Sequence, residues 1–110
     1  MKRIAVVILN WNGIELLKKF IPNTINNSKQ ANIYVIDNSS TDKSVDFLKI
    51  NYSNIKVIEL DRNYGFAEAY NIGLKGIDEE IYCLLNNDIE VSENWLDPII
   101  KEFNDNKTSI

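Results

Sequence analysis

The sequence predicts a three-layer α/β domain built on a mostly parallel sheet. Three observations predict it. Four apolar runs of strand length alternate with four stretches of helical periodicity. The first run, Ile4 to Leu9, is rich in β-branched residues and apolar on both faces, as in a strand covered on both sides. No Pro/Gly-rich linker, low-complexity tract or sequence repeat divides the 110 residues, so they form one small domain or part of a larger one.

Each element has a local justification. The polar turn around Gly13 ends the first strand, and a helix follows over about Glu15 to Asn26, with Leu16, Leu17, Phe20 and Ile21 at helical spacing. Pro22 lies inside that span and predicts a kink or an early stop. Ile33 to Ile36 is the second strand, Asp37 to Ser40 the turn, and Thr41 to Asn51 the second helix. Ser39-Ser40-Thr41-Asp42 fits a capping box, with Ser39 as N-cap and Asp42 reaching back. The third unit has strand Ile55 to Leu60, turn Asp61 to Gly65, and a helix from about Phe66 to Lys75. Phe66, Tyr70, Gly73, Leu74 and Ile77 mark its inner face. The fourth has strand Ile81 to Leu85, an acidic turn, Ser92 as N-cap and a helix to about Phe103. Right-handed crossovers then give strand order 3-2-1-4, with a crevice where the order reverses, between the first and fourth strands.

Composition excludes several functions. With no histidine, Ser-His-Asp triads and His-ligated zinc are impossible. A net charge of −4 and no basic run argue against a nucleic-acid partner. The single cysteine, Cys83, sits in an apolar run and reads as core in a reducing compartment. No apolar run approaches the ~20 residues that cross a bilayer, and the Met1-Lys2-Arg3-Ile4 start lacks a signal peptide's apolar core. A cytoplasmic domain is the expectation.

A parallel sheet brings its strand-to-helix loops to one edge. That gathers Trp11, Asp37, Asn38, Asp61, Arg62, Asn63 and Asp88 along one crevice. There is no G-x-G-x-x-G after the first strand and no G-x-x-x-x-G-K-[ST], so phosphate binding there needs another source of positive charge. Arg62, a helix N-terminus, or a cation held by Asp88 could supply it. Trp11 could stack on a flat base, and Asp37 or Asn38 could accept the N3–H of a pyrimidine. These parts describe a nucleoside diphosphate site with a metal. Taken singly, Asp88 also suits an unliganded turn, Asp42 a cap, Trp11 surface packing, and Arg62 a pair with Asp61.

Four segments together resemble the family-2 inverting glycosyltransferases of the GT-A fold. Val7 to Gly13 is similar to their opening strand and turn, and Val35 to Asp42 to their V-D-x-x-S-x-D segment. Asn63 to Gly73 matches their N-x-G-x-x-x-x-x-N-x-G pattern, and Leu85-Asn86-Asn87-Asp88 sits where they carry D-x-D. The segments fall in family order and cover essentially the whole chain.

The resemblance implies a Rossmann-like GT-A nucleotide-binding half that takes a nucleotide diphosphate sugar. Trp11 would flank the base, and Asp37 and Asn38 would contact base or ribose. Arg62, Asn63 and Asn86 are further candidates for the substrate, and Asp88 would hold Mg²⁺ or Mn²⁺ on the diphosphate. Asn86 replaces the first aspartate of D-x-D, a form similar to rhamnosyltransferase-like members, and implies weaker metal dependence. The implied reaction is inverting transfer to a glycan or lipid-linked acceptor, in the cytoplasm or at the inner face of the membrane. Family members run well past this length. Residues 1–110 are thus expected to be the N-terminal part, with the acceptor half and the general base beyond residue 110. An exposed sheet edge would favour self-association. Two other readings stay open: a catalytically incomplete nucleotide-sugar-binding module, and an α/β interaction domain with no nucleotide site.

Overall fold

Strands and helices alternate strictly in the computed structural model, which describes residues 3–106. In chain order they are β1 (Ile4–Asn10), α1 (Ile14–Asn26), β2 (Asn32–Asp37), α2 (Ser44–Asn51), β3 (Lys56–Glu59), α3 (Phe66–Leu74), β4 (Ile81–Asn86) and α4 (Asp97–Asn106). The sheet runs β3-β2-β1-β4 and every pairing is parallel. This is the expected order, with the reversal between β1 and β4.

Side-chain alternation along β1 builds two cores. Ile4, Val6 and Ile8 face Leu17 and Ile21 of α1, Leu48 of α2, and Leu96 ahead of α4. Ala5 and Val7 face the other way, with Tyr34 and Ile36 of β2, against Tyr70 of α3 and Ile77. Three layers result, with α3 facing the other helices across the sheet. Ile36 and Gly73 meet closely: a Cβ on Gly73 would lie 2.4 Å from Ile36 Cδ1. Close helix–sheet packing is therefore what glycine provides at that position on the inner face of α3.

Several local expectations are corrected. The chain does not stop at Pro22. Its ring faces solvent while Ile21 and Thr24 on either side are buried, and that packing carries α1 to Asn26 despite the missing donor. Ser39 is not an N-cap: its φ is 63°, outside the extended region a cap needs, and α2 begins at Ser44. Lys43 takes the cap position with no side-chain bond, and Asp42 braces the turn ahead of it, its Oδ1 accepting from the Ser44 N–H at 2.9 Å. Ser92 does not start α4 either. Asn94 takes φ 61°, and α4 starts at Asp97 with Pro98 in its first turn, where a missing N–H costs no helical bond. Phe66 is 63% exposed rather than inward, its ring edge-on to Tyr70 at the head of α3.

β4 behaves unlike the strands beside it. Its burial alternates, with Tyr82, Leu84 and Asn86 exposed, because α3 packs over β1 and β2 and leaves this side of β4 open. Cys83 is half-buried, and burial pushes its thiol above the usual range. The opposite end of the sheet is closed by Glu79, a buried carboxylate. It accepts from Asn32 Nδ2 at 2.7 Å and from the Tyr34 hydroxyl at 2.8 Å, with Arg3 at 3.9 Å. Burial opposes its charge, but those hydrogen bonds and the Arg3 and Lys56 charges hold its carboxyl below the usual range. The Tyr34 phenol is pushed up to about 12 by burial and by Glu79.

Candidate functional site

The C-terminal ends of β1, β2 and β4 and the start of α3 surround an open cavity of about 390 Å³. Trp11, Asn38, Asn63, Asn86 and Asp88 line it, together with Leu9, Gly65, Phe66 and Asn87. Five of the eight residues that the sequence assigns to the crevice thus converge, while Asp37, Asp61 and Arg62 stand outside the lining.

Trp11 stands on the turn after β1, 54% exposed and part of the cavity lining, a large aromatic surface within reach of a ligand. Asn38 follows β2 and is buried at 4%. Its N–H donates to the Asn10 carbonyl at 2.8 Å and its Oδ1 accepts from the Tyr64 N–H at 2.9 Å. Its Nδ2 donates to Asn63 Oδ1 at 3.0 Å. Asn63 Oδ1 also accepts the Gly65 N–H at 2.8 Å, so one carboxamide shapes the turn that opens α3. Gly65 takes φ 80° there, a conformation that favours glycine. Because α3 begins at this rim, the positive end of its dipole lies at the cavity.

Asp37 lies beneath the floor, 2% exposed, and its carboxylate is spent largely on the fold. Oδ1 accepts from Asn10 Nδ2 at 3.0 Å and from Ser40 Oγ at 2.7 Å, while Oδ2 accepts the Ser40 N–H at 2.9 Å. A carboxylate has about four lone-pair positions, so one on Oδ2 stays uncommitted. Arg62 points elsewhere: its guanidinium lies 4.7 Å from the Tyr64 ring centre, and the Tyr64 hydroxyl donates to Asp61. That hydroxyl is the main cause holding the Asp61 carboxyl below its usual range.

Asn10, Asn12 and Asn87 were not singled out from the sequence, and they join Asp42 in a network beneath the site. Asn10, fully buried at the end of β1, also accepts at Oδ1 from Asn87 Nδ2 at 3.0 Å. Asn12, at φ 50°, offers Oδ1 to the N–H groups of Thr41 at 2.7 Å and Asp42 at 3.2 Å. Asp42 Oδ2 in turn accepts the Ile14 N–H at the head of α1 at 3.2 Å. Burial opposes the Asp42 charge, but the Ser44 and Ile14 bonds outweigh it and keep the carboxyl low. The available signal was an asparagine closing an otherwise apolar strand, a residue that must find partners when buried.

The donor set can be weighed against a divalent cation. Among the described residues no three His, Cys, Asp or Glu side chains gather to hold one. Asp88 contributes one exposed carboxylate, and Asn86 and Asn87 stand beside it on the cavity wall. Mg²⁺ is commonly held by one or two carboxylates together with phosphate oxygens and water. The residues therefore fit a cation shared with a diphosphate, and do not form a protein-only cage.

Comparison with known proteins gives a consistent picture. Residues 5–110 match the model of glycosyl transferase family 2. The chain is 26% identical over 113 residues to a teichoic acid poly(glycerol phosphate) polymerase of Staphylococcus epidermidis, across 94% of this chain and 15% of that one. It is 26% identical over 114 residues to an uncharacterized glycosyltransferase of Haemophilus influenzae, across 97% of this chain and 35% of that protein. The chain thus spans about a third or less of these relatives. Among solved structures, S. aureus TarS 1-349 in complex with UDP-GlcNAc superposes with a TM-score of 0.80 at 18% identity, over 94% of this chain and 31% of that one. The mannosyltransferase PcManGT from Pyrobaculum calidifontis, in complex with GDP-Man and Mn²⁺, gives 0.73 at 20% identity, over 84% and 29%. At these identities the likeness establishes the fold.

Proposed function

Because the chain belongs to glycosyl transferase family 2, we propose that it is the donor-binding part of an enzyme that transfers a sugar from a nucleotide diphosphate sugar. One observation carries the reading: a single cavity has an exposed indole and a fixed carboxamide at one side and a free carboxylate at the other. That spacing of chemistries suits a base, a ribose and a charged diphosphate in turn.

In this reading Trp11 covers the base, and Asn38 and Asn63 hold base or ribose. Asp37 works from beneath, keeping the turn in place with one acceptor position left for the ligand. Asp88, flanked by Asn86, faces the diphosphate and would hold Mg²⁺ or Mn²⁺ there. Such an ion supplies Lewis-acid neutralisation of the charge that builds as diphosphate leaves. Arg62 takes part only by leaving Tyr64. Transfer proceeds with inversion to a hydroxyl of a glycan or lipid-linked acceptor. This requires a base to take the acceptor proton. Asp88 is the one carboxylate among the described lining residues and is committed to the diphosphate, so the base belongs to another part of the enzyme. The location consistent with this chemistry is the cytoplasm or the inner face of the membrane, and no helix among the described residues is long and apolar enough to cross one. Self-association through the open β4 edge completes the reading.

A second reading, a nucleotide-sugar-binding module that is catalytically incomplete alone, is favoured by the share of the TarS 1-349 chain that this one covers, 31%. Calorimetric titration with UDP, dTDP and GDP, each with and without Mn²⁺, tests the donor site. Tighter binding of one diphosphate with the metal supports it, and no binding of any refutes it. Assaying sugar transfer in the same samples separates the two readings.

A further inference from the structure

The two walls of the cavity belong to strands that do not touch each other. Asn38 follows β2 and Asn86 to Asp88 follow β4, with β1 between them in the sheet. Past the strand ends no ladder bond fixes one wall against the other. The last residue of β1 bridges them by its side chain, with Nδ2 donating to Asp37 on one side and Oδ1 accepting from Asn87 on the other.

The direction of this bridge is set by chemistry. An ionised carboxylate only accepts, so Asp37 requires the NH₂ end of Asn10. The oxygen of Asn10 is thereby turned to β4, where it requires the NH₂ end of Asn87, and the Asn87 oxygen is turned away from Asn10. Gly13 packs over the junction: a Cβ there would lie 2.4 Å from Asn87 Nδ2 and 2.6 Å from Asn10 Oδ1. The absent side chain leaves room for this one amide pairing. We propose that Asn10 is a positioning residue, its carboxamide relaying the orientation fixed by Asp37 to Asn87 and so setting the Asn86-Asn87-Asp88 wall against the Asn38 wall. The inference rests on the donor-site reading above for its consequence, and on geometry alone for the linkage.

The test uses Asn10→Asp in the full chain. When protonated, the introduced carboxyl donates its O–H to Asp37 and accepts from Asn87 with its other oxygen, which reproduces the relay. When ionised, it opposes the charge of Asp37 and cannot donate. The carboxylates on the surrounding loops are Asp37 after β2, Asp42 ahead of α2 and Asp88 after β4. Burial and these like charges raise the titration of the introduced carboxyl above the ordinary range. NMR of the nucleotide-free variant between about pH 5 and about pH 8 should show the Ser40 N–H and the Asn87 side-chain NH₂ shifting with one common midpoint. A shift confined to Ser40 overturns the relay.

Affinity for UDP, dTDP and GDP with Mn²⁺ is then measured over the same range, with thermal melts at each pH to confirm folding. In Asn10→Asp it should fall by about 3- to 10-fold as pH rises through that midpoint, relative to the unmodified chain. Asn10→Leu should be weak at every pH. Affinity that tracks the unmodified chain while Asn87 shifts overturns the positioning role. If the unmodified chain binds no nucleotide, the donor-site reading fails and the role falls with it, while the NMR arm still decides the linkage. Should Asn10→Asp not fold, Asn87→Leu replaces it. That variant should bind the diphosphates with Mn²⁺ about 3- to 10-fold more weakly than the unmodified chain, and no loss overturns the proposal.

Discussion

Replacing Gly73 with alanine tests how tightly α3 is seated on the sheet. The new methyl would meet three atoms of Ile36, Cδ1 at 2.4 Å, Cγ1 at 2.7 Å and Cγ2 at 2.8 Å. Ordinary contact begins about 1 Å further out, and Ile36 is fully buried on β2, with no free direction to move. Overpacking of this kind costs about 1–3 kcal/mol, and three close atoms of a branched side chain place it toward the upper end. Alanine returns roughly 1 kcal/mol of helix propensity over glycine. The net loss should be about 1–2 kcal/mol, or about 4–15 °C in Tm for a domain of this size. Urea denaturation followed by circular dichroism measures it, with the midpoint falling and m unchanged. Ile36→Val supplies the internal check, because it removes Cδ1, the nearest atom. Alone it should cost about 0.5–1.5 kcal/mol. In the Gly73→Ala background it should cost nothing or restore stability, a coupling that neighbours show and distant sites do not. Gly73→Ala as stable as the unmodified chain, or strictly additive losses in the pair, would refute the packing argument.

Three other perturbations reach different parts of the molecule. Asp88→Ala should abolish the Mn²⁺-dependent part of nucleotide affinity, a loss of about 10-fold or more, with melting unchanged because its side chain is exposed; calorimetry with an unaltered metal increment would remove Asp88 from the site. Glu79 has a folded pKa below its unfolded one, so the stability it contributes is present above the ordinary carboxylate range and is lost as pH falls through the folded value. Acid titration of unfolding free energy should therefore be shallower in Glu79→Gln, and equal slopes would contradict the assignment. Leu84, 52% exposed beside the open edge of β4, should support contact between copies. Leu84→Lys should reduce the sedimentation-measured mass of any oligomer, and identical profiles would exclude that edge.

How much of this was legible in the sequence depends on how local each cause is. β1 and β2 were readable because burial on both faces leaves unbroken apolar runs, and the order 3-2-1-4 followed from parallel crossovers. The starts of α2 and α4 were not, because Ser39 and Asn94 adopt positive φ, which letters permit but do not announce. Ser92 looked like a cap until Pro98 is counted as a first-turn residue. The open side of β4 was hidden because Tyr82 and Leu84 are as apolar as core residues; only the placement of α3 exposes them. At the site, the loops were found by topology, so Trp11, Asn38, Asn63, Asn86 and Asp88 converged as expected. Asp37 and Arg62 did not line the cavity, since local partners, Ser40 and Asn10 for one and Tyr64 for the other, claim them first. Asn10 and Asn87 escaped notice because this chain has many asparagines, and burial, a tertiary property, singles these out.

The electrostatics of the cavity bear on what it can hold. The chain carries a net charge of −4, and no lysine or arginine is among the lining residues. A diphosphate would therefore meet no side-chain cation there. What the site offers instead is restraint of negative charge. Four of its lining residues are neutral asparagines, and the one carboxylate beneath, Asp37, is covered by donors from Asn10 and Ser40. Against this background the exposed Asp88 carboxylate repels an anion unless a cation stands between them. The head of α3 supplies about half a positive charge at most, too little to offset both Asp88 and a diphosphate. Diphosphate affinity should accordingly rise with Mn²⁺ in the unmodified chain, and the nucleoside without phosphates should bind equally well with or without it. A diphosphate that binds as tightly in chelator as in Mn²⁺ would mean that another group, with Arg62 released from Tyr64 the nearest in sequence to the rim, carries the neutralisation.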